Sequence, residues 1–156
     1  MRAGRQSDSD ELRLASFLPY RLSVLTNRIS RALSRQYAEQ FNLSIPQWRA
    51  LAVLGESGDL FADEICKVTE MDKVTVSRAL QGLEEQGRIS RKTDSSDRRR
   101  ARVRLTSMGR AVYREVVPVA LEYERQLLDV LSTSEQRTLD DALGKLHEWA
   151  ATDDED

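Results

Sequence analysis

Residues 62–105 constrain this chain more than any other stretch. A short apolar-patterned run over Ala62–Val68 breaks for only a few residues before a second helical pattern opens. In that second pattern Val76, Ala79, Leu80 and Leu83 recur at i, i+3, i+4 and i+7, one face of an α-helix. Asp72 stands at its head as an N-cap, and Gln86-Gly87 ends it with a glycine stop. The period then changes. Residues 88–93 and 98–105 alternate, with Ala101, Val103 and Leu105 on one side and Arg100, Arg102 and Arg104 on the other. Asp94-Ser95-Ser96-Asp97 between them is a turn cluster. Helix, tight turn, helix and basic hairpin, in that order, predict a small lobe with little β-structure.

The flanks are helical. Leu18, Leu22, Leu25, Ile29, Ala32 and Leu33 make a stripe in a helix predicted from Phe17 to about Phe41, with Asn42 as its stop. Ser44-Ile45-Pro46-Gln47 reads as a capping box for a helix whose Trp48, Leu51, Ala52 and Gly55 share a face. Leu60 and Phe61 form a short strand or a staple. Thr106 caps a long helix predicted over 107–131, kinked at Pro118. Thr133–Gln136 reads as a further capping box, for a last helix carrying Leu139, Ala142, Leu143, Leu146, Trp149 and Ala150.

Charge is distributed unevenly. The 156 residues sum to −2, which alone argues against a nucleic-acid partner, yet residues 72–110 hold 11 basic and 5 acidic side chains, net +6. Residues 132–156 hold 2 basic and 8 acidic, net −6. A basic centre in a neutral to acidic chain is a local footprint for a polyanion, or a solvated charged face. Other classes fall away. No apolar run reaches the roughly 18 residues of a membrane span, and no charged-then-apolar leader opens the chain, so the expected compartment is the cytoplasm. One cysteine, Cys66, allows no internal disulfide, and one histidine, His147, disfavours a zinc site. Without a glycine-rich phosphate loop, a nucleophile–histidine–acid set or a metal cluster, no enzyme and no cofactor are expected.

A short helix followed closely by one with an apolar back and a polar, hydroxyl-rich front is a helix-turn-helix pattern. The front helix would enter the major groove, and the hairpin behind it would be a wing that places arginines on phosphates or in the minor groove. Coincident with the +6 segment, the two features point to double-stranded DNA. The alternative is an architectural or protein-interaction winged-helix module without ligand response.

Three stretches carry a family resemblance: LSIPQWRALAVL (43–54), EICKVTEMDKVTVSRALQGLEEQGRI (64–89) and DRRRARVRLTSMG (97–109). They resemble the MarR family of bacterial winged helix-turn-helix regulators, the last through its D-x-R…L-T-x-x-G wing signature at Asp97, Arg99, Leu105, Thr106 and Gly109. In order and spacing the match extends from about residue 18 to 150. Two positions depart from it. Glu70 stands in the helix-turn-helix turn where many relatives carry a small residue or glycine. Cys66 stands where relatives usually have a residue such as alanine, which suits a buried packing thiol between two helices.

The resemblance implies a mainly α fold with a small β wing, a winged helix-turn-helix plus N- and C-terminal dimerisation helices. Residues 1–16 are then a disordered tail, 17–42 and 107–151 the helical dimerisation region, 43–106 the DNA-binding lobe, and 152–156 an acidic tail. It further implies a homodimer on a pseudo-palindromic operator, acting as a repressor. The broad apolar faces of the first and last two helices argue for pairing independently. In the recognition helix Thr75, Ser77 and Arg78 are expected at bases and phosphates, with Lys73 adding charge. Arg99, with its neighbour Arg98, is expected on DNA from the wing, and Asp97 is expected to hold the wing in shape by pairing with an arginine.

Arg21, Arg28 and Arg35 repeat every seven residues beside the apolar stripe of the first helix, with Arg31 next to them. Such a row suits an anionic ligand with a hydrophobic body. It equally suits ion pairs across a dimer or contact with the phosphate backbone. Tyr20 and Trp48 could line the same pocket or belong to the core. Because the FLPYRLSVLTNRISRAL segment is similar to that of relatives controlling hydroxycinnamate breakdown, the resemblance implies an aromatic acid, a phenol or an acyl-coenzyme A thioester as effector.

Overall fold

The computed structural model describes residues 12–153. Six helices and one hairpin follow in order: α1 (Leu18–Phe41), α2 (Ile45–Ser57), α3 (Ala62–Thr69), α4 (Lys73–Glu85), β1 (Ile89–Thr93), β2 (Ala101–Leu105), α5 (Ser107–Leu128) and α6 (Thr133–Asp153). The mainly α fold with a β wing is therefore the one expected. The chain forms two compact units, one ending at Tyr113 and the other beginning at Arg114. Among the described residues no helix is long and apolar enough to cross a membrane, and no cluster of His, Cys, Asp and Glu could hold a metal.

The helix ends follow local chemistry. Asn42 closes α1 in the left-handed region at φ 51°, where asparagine is tolerated. Ser44 Oγ accepts the Gln47 N–H at 3.3 Å while Gln47 Oε1 accepts the Ser44 N–H at 2.9 Å, completing the expected box at α2. The part-buried guanidinium of Arg88 donates to the Phe41 carbonyl at 2.5 Å, a cation on a helix C-terminus.

The first unit packs its core from every element. Leu43, Leu51, Leu54, Ile65, Val76, Leu80, Leu83, Ile89 and Val103 are buried, so the apolar face read into α4 is the packed one. On α2 the buried positions are Ala50, Leu51 and Leu54, while Trp48 and Gly55 face an aromatic cluster. The Trp48 ring lies 5.2 Å from that of Tyr37 and stacks 6.4 Å from that of Tyr113. In the hairpin Ile89 pairs with Leu105, Arg91 with Val103 and Thr93 with Ala101. Leu60 adds a one-residue third strand: its N–H and carbonyl exchange hydrogen bonds with Val103 at 3.1 and 2.7 Å.

Four expectations change. Residues 1–11 and 154–156 of the two tails lie outside the described residues. Of the rest, Arg13 starts a turn into α1, its carbonyl accepting the Ser16 and Phe17 N–H groups, and α6 runs on through Thr152 and Asp153. Helix α5 stops at Leu128, not 131, because Leu131 N–H turns back to the Leu128 carbonyl. The box heading α6 is one residue earlier than read: Ser132 and Glu135 exchange the bonds, and Gln136 donates to the Leu128 and Leu131 carbonyls. Val68 is exposed, since Ile65 alone fills the core position of α3.

Candidate nucleic-acid interface

Helix α4 begins at Asp72. Its carboxylate accepts the Thr75 hydroxyl at 2.6 Å and the Thr75 N–H at 2.8 Å, which hold Asp72 below the usual carboxylate range. Thr75 is thereby committed to the cap and does not present its hydroxyl outward. The side of α4 away from its buried stripe carries Val74, Arg78, Gln81 and Glu85, all exposed, with Gln81 donating to Glu85 at 3.0 Å. Val74 is 59 % exposed, and the sequence reading missed it. The signal was present: an apolar residue off the stripe set by residues 76, 79, 80 and 83.

Lys73 and Ser77 lie on the flank of α4 toward the wing, where they line an open groove with Cys66, Arg91, Arg99 and Arg100. Cys66 is half-buried on that groove's wall, not enclosed between helices as expected. Of the predicted DNA-binding residues the groove gathers Lys73, Ser77 and Arg99. Arg78 is on the outward face and Thr75 at the cap.

The wing divides its arginines into two sets. Arg100 donates to Asp63 at 2.7 Å, Arg102 to Asp94 at 3.2 Å and Arg104 to Asp59 at 2.6 Å. These three are engaged with carboxylates, so the alternating side of β2 is not the free basic face expected. Arg98 and Arg99, at the tip, are exposed, and neither enters an ion pair among the described residues.

The carboxylate that pairs with an arginine in the wing is Asp94, not Asp97. Asp94 accepts the Ser96 hydroxyl, the Ser96 N–H at 2.9 Å, the Asp97 N–H at 3.1 Å and the Arg102 side chain. Those bonds, led by the Ser96 hydroxyl, lower its pKa to about 2. Asp97 supports the wing through the main chain, accepting the Arg99 N–H at 3.0 Å.

The arginine row of α1 is exposed along its length. Tyr20, Arg21 and Arg28 line a shallow groove with Leu18, Leu22 and Leu25, and Arg28, Arg31 and Arg35 border the next surface along the helix. Trp48 is elsewhere, half-buried in the aromatic cluster with Tyr37 and Tyr113.

Comparison with known proteins points one way. The MarR family profile matches residues 41–100. The transcriptional regulator PecS of Dickeya dadantii is 30 % identical over 128 residues, 80 % of this chain and 76 % of that protein. A MarR/EmrR family transcriptional regulator from Acinetobacter sp. ADP1 superposes with a TM-score of 0.83 at 28 % identity, covering 90 % of this chain and 99 % of its own. The S. aureus MepR–DNA complex superposes at 0.78 with 25 % identity, over 86 % of this chain and 98 % of MepR.

Proposed function

The chain belongs to the MarR family of transcriptional regulators, DNA-binding proteins and not enzymes, and on that premise we propose that it is a homodimeric repressor of a pseudo-palindromic operator, released by a small anionic aromatic ligand. The observation that carries the DNA contact is the division of the wing arginines. Arg98 and Arg99 are free at the tip, where guanidinium groups suit phosphates or a narrow minor groove. Arg78 and Gln81 on the outward face of α4 have the donors that major-groove base edges accept, and Lys73 and Ser77 add phosphate contacts from the flank.

Pairing is supported by apolar surface left uncovered in one chain. Leu18, Leu22 and Leu25 on α1, and Leu139, Leu143, Leu146 and Trp149 on α6, are exposed. A second copy burying these faces would set two α4 helices on successive major grooves, about 34 Å apart. The ligand reading rests on Tyr20, Arg21 and Arg28 beside leucines in one groove, with Arg35 further along the row. An aromatic carboxylate or a hydroxycinnamoyl-coenzyme A type of thioester has the matching apolar body and anionic head.

The test is a gel shift on DNA upstream of the protein's own gene against random duplex at fixed salt, with and without aromatic acids and their coenzyme A thioesters. A regulator gives a preference on the order of 10³ or more. Equal affinity for any duplex favours the architectural reading instead. Replacing Arg28 and Arg35 together should weaken the response to ligand and spare operator affinity; a fall in operator affinity assigns the row to DNA.

A further inference from the structure

Arg100 is held from three sides. Its guanidinium donates to Asp63, in the first turn of α3, and lies 3.8 Å over the centre of the Phe61 ring. Its main-chain N–H donates to the Asp97 carbonyl at 3.0 Å, and its carbonyl accepts the Asp94 N–H at 2.9 Å. The same Phe61 ring carries the Arg102 guanidinium 4.4 Å from its centre, and Arg102 reaches on to Asp94. One residue thus ties the base of the wing turn to the helix before the recognition helix, by side chain at one end and main chain at the other. The arrangement also sets a carboxylate, Asp63, on the rim of the groove that Lys73, Ser77 and Arg99 line. Beside a polyanion that carboxylate is repulsive.

We infer that Arg100 is a positioning residue: pinned by Asp63 and Phe61, it sets the angle of the wing so that Arg98 and Arg99 meet DNA, and makes no DNA contact itself. Cation–π and ion-pair contacts on one guanidinium fix its direction as well as its place, which a lone exposed ion pair would not do. The inference rests on the wing contact proposed above, and the test separates the two.

The rival role, a phosphate ligand resting on Asp63 until DNA arrives, predicts the opposite sign. Under it, Asp63→Asn removes a negative charge and a competitor, and binding tightens. Under the positioning role, Asp63→Asn weakens binding about threefold to tenfold although the protein has lost a negative charge. Arg100→Ala weakens it similarly, leaves the slope of log affinity against log salt unchanged, and adds nothing to Asp63→Asn in the double variant. A phosphate ligand instead lowers that slope by about 1 per protomer. The probe is a duplex selected from a random pool by the unmodified protein, with Arg99→Ala measured alongside. Unchanged affinity and slope in Arg99→Ala overturn the wing contact itself. If Arg99→Ala weakens binding while Asp63→Asn tightens it or leaves it unchanged, or Arg100→Ala lowers the slope, the role given to Arg100 is overturned alone.

Discussion

Thr75 spends both of its donors on Asp72, the hydroxyl at 2.6 Å and the N–H at 2.8 Å. A threonine so engaged stabilises the start of α4, and the expected consequence is a structural role in place of base reading. Thr75→Val keeps the shape and removes the hydroxyl; it should lower the melting temperature by a few degrees and leave base preference unchanged at every operator position. Val74→Ala should do the reverse. Replacing operator thymines by deoxyuridine removes the methyl groups an exposed valine can meet, so it should weaken the unmodified protein and leave Val74→Ala unaffected.

Gly109 is required by close approach. A Cβ there would lie 1.8 Å from the Arg88 carbonyl oxygen, a main-chain atom with nowhere to go. That carbonyl also accepts the Thr106 N–H, and the Thr106 hydroxyl accepts the Gly109 N–H, so the first turn of α5 is bound tightly to the turn between α4 and β1. Gly109→Ala should destabilise the fold by about 3 kcal/mol, measured by chemical denaturation.

Acid should loosen the wing before it unfolds the lobe. Asp94 is held at about 2 against an ordinary 3.8. A lowered folded pKa contributes stability that is complete above the unfolded value and lost as pH falls through the folded one. The window is therefore pH 4 down to about 2. The protection of the Ser96 and Asp97 amides, both donors to Asp94, against hydrogen exchange relative to an unstructured peptide at the same pH should fall across it. Asp94→Asn should leave both amides poorly protected at every pH.

Glu70 closes α3 at φ 53°, a left-handed conformation that β-branched residues resist. Glu70→Val should lose about 1 kcal/mol or more. Glu70→Gly relieves the strain while adding freedom to the unfolded chain, and these offset, so its stability should stay within about 0.5 kcal/mol of the unmodified protein. Thermal melts of the pair check the difference.

Features set by neighbours in sequence were legible in advance. Ser44 and Asp72 cap where their side chains can reach the next turn, and the burial of Val76, Ala79, Leu80 and Leu83 follows from helical period alone. Errors arose where local chemistry offers two solutions. Ser132…Glu135 and Thr133…Gln136 are overlapping boxes of the same form, and the fold uses the first while Gln136 donates to the Leu128 and Leu131 carbonyls. Asp94 and Asp97 both sit in the wing turn, and only the folded register shows which one faces Arg102. The pairs Asp63–Arg100 and Asp59–Arg104 join positions far apart in the chain, so nothing in a periodicity could separate held arginines from free ones.

The packing of Trp48 between Tyr37 and Tyr113 gives the protein a built-in optical division of labour. Its indole is half-buried and flanked by two phenols able to pass it excitation, whereas the indole of Trp149 on α6 is 67 % open to water in a single chain. With Trp149 changed to phenylalanine, fluorescence tracks the integrity of the lobe alone. With Trp48 changed instead, a blue shift on raising concentration would report the pairing proposed above.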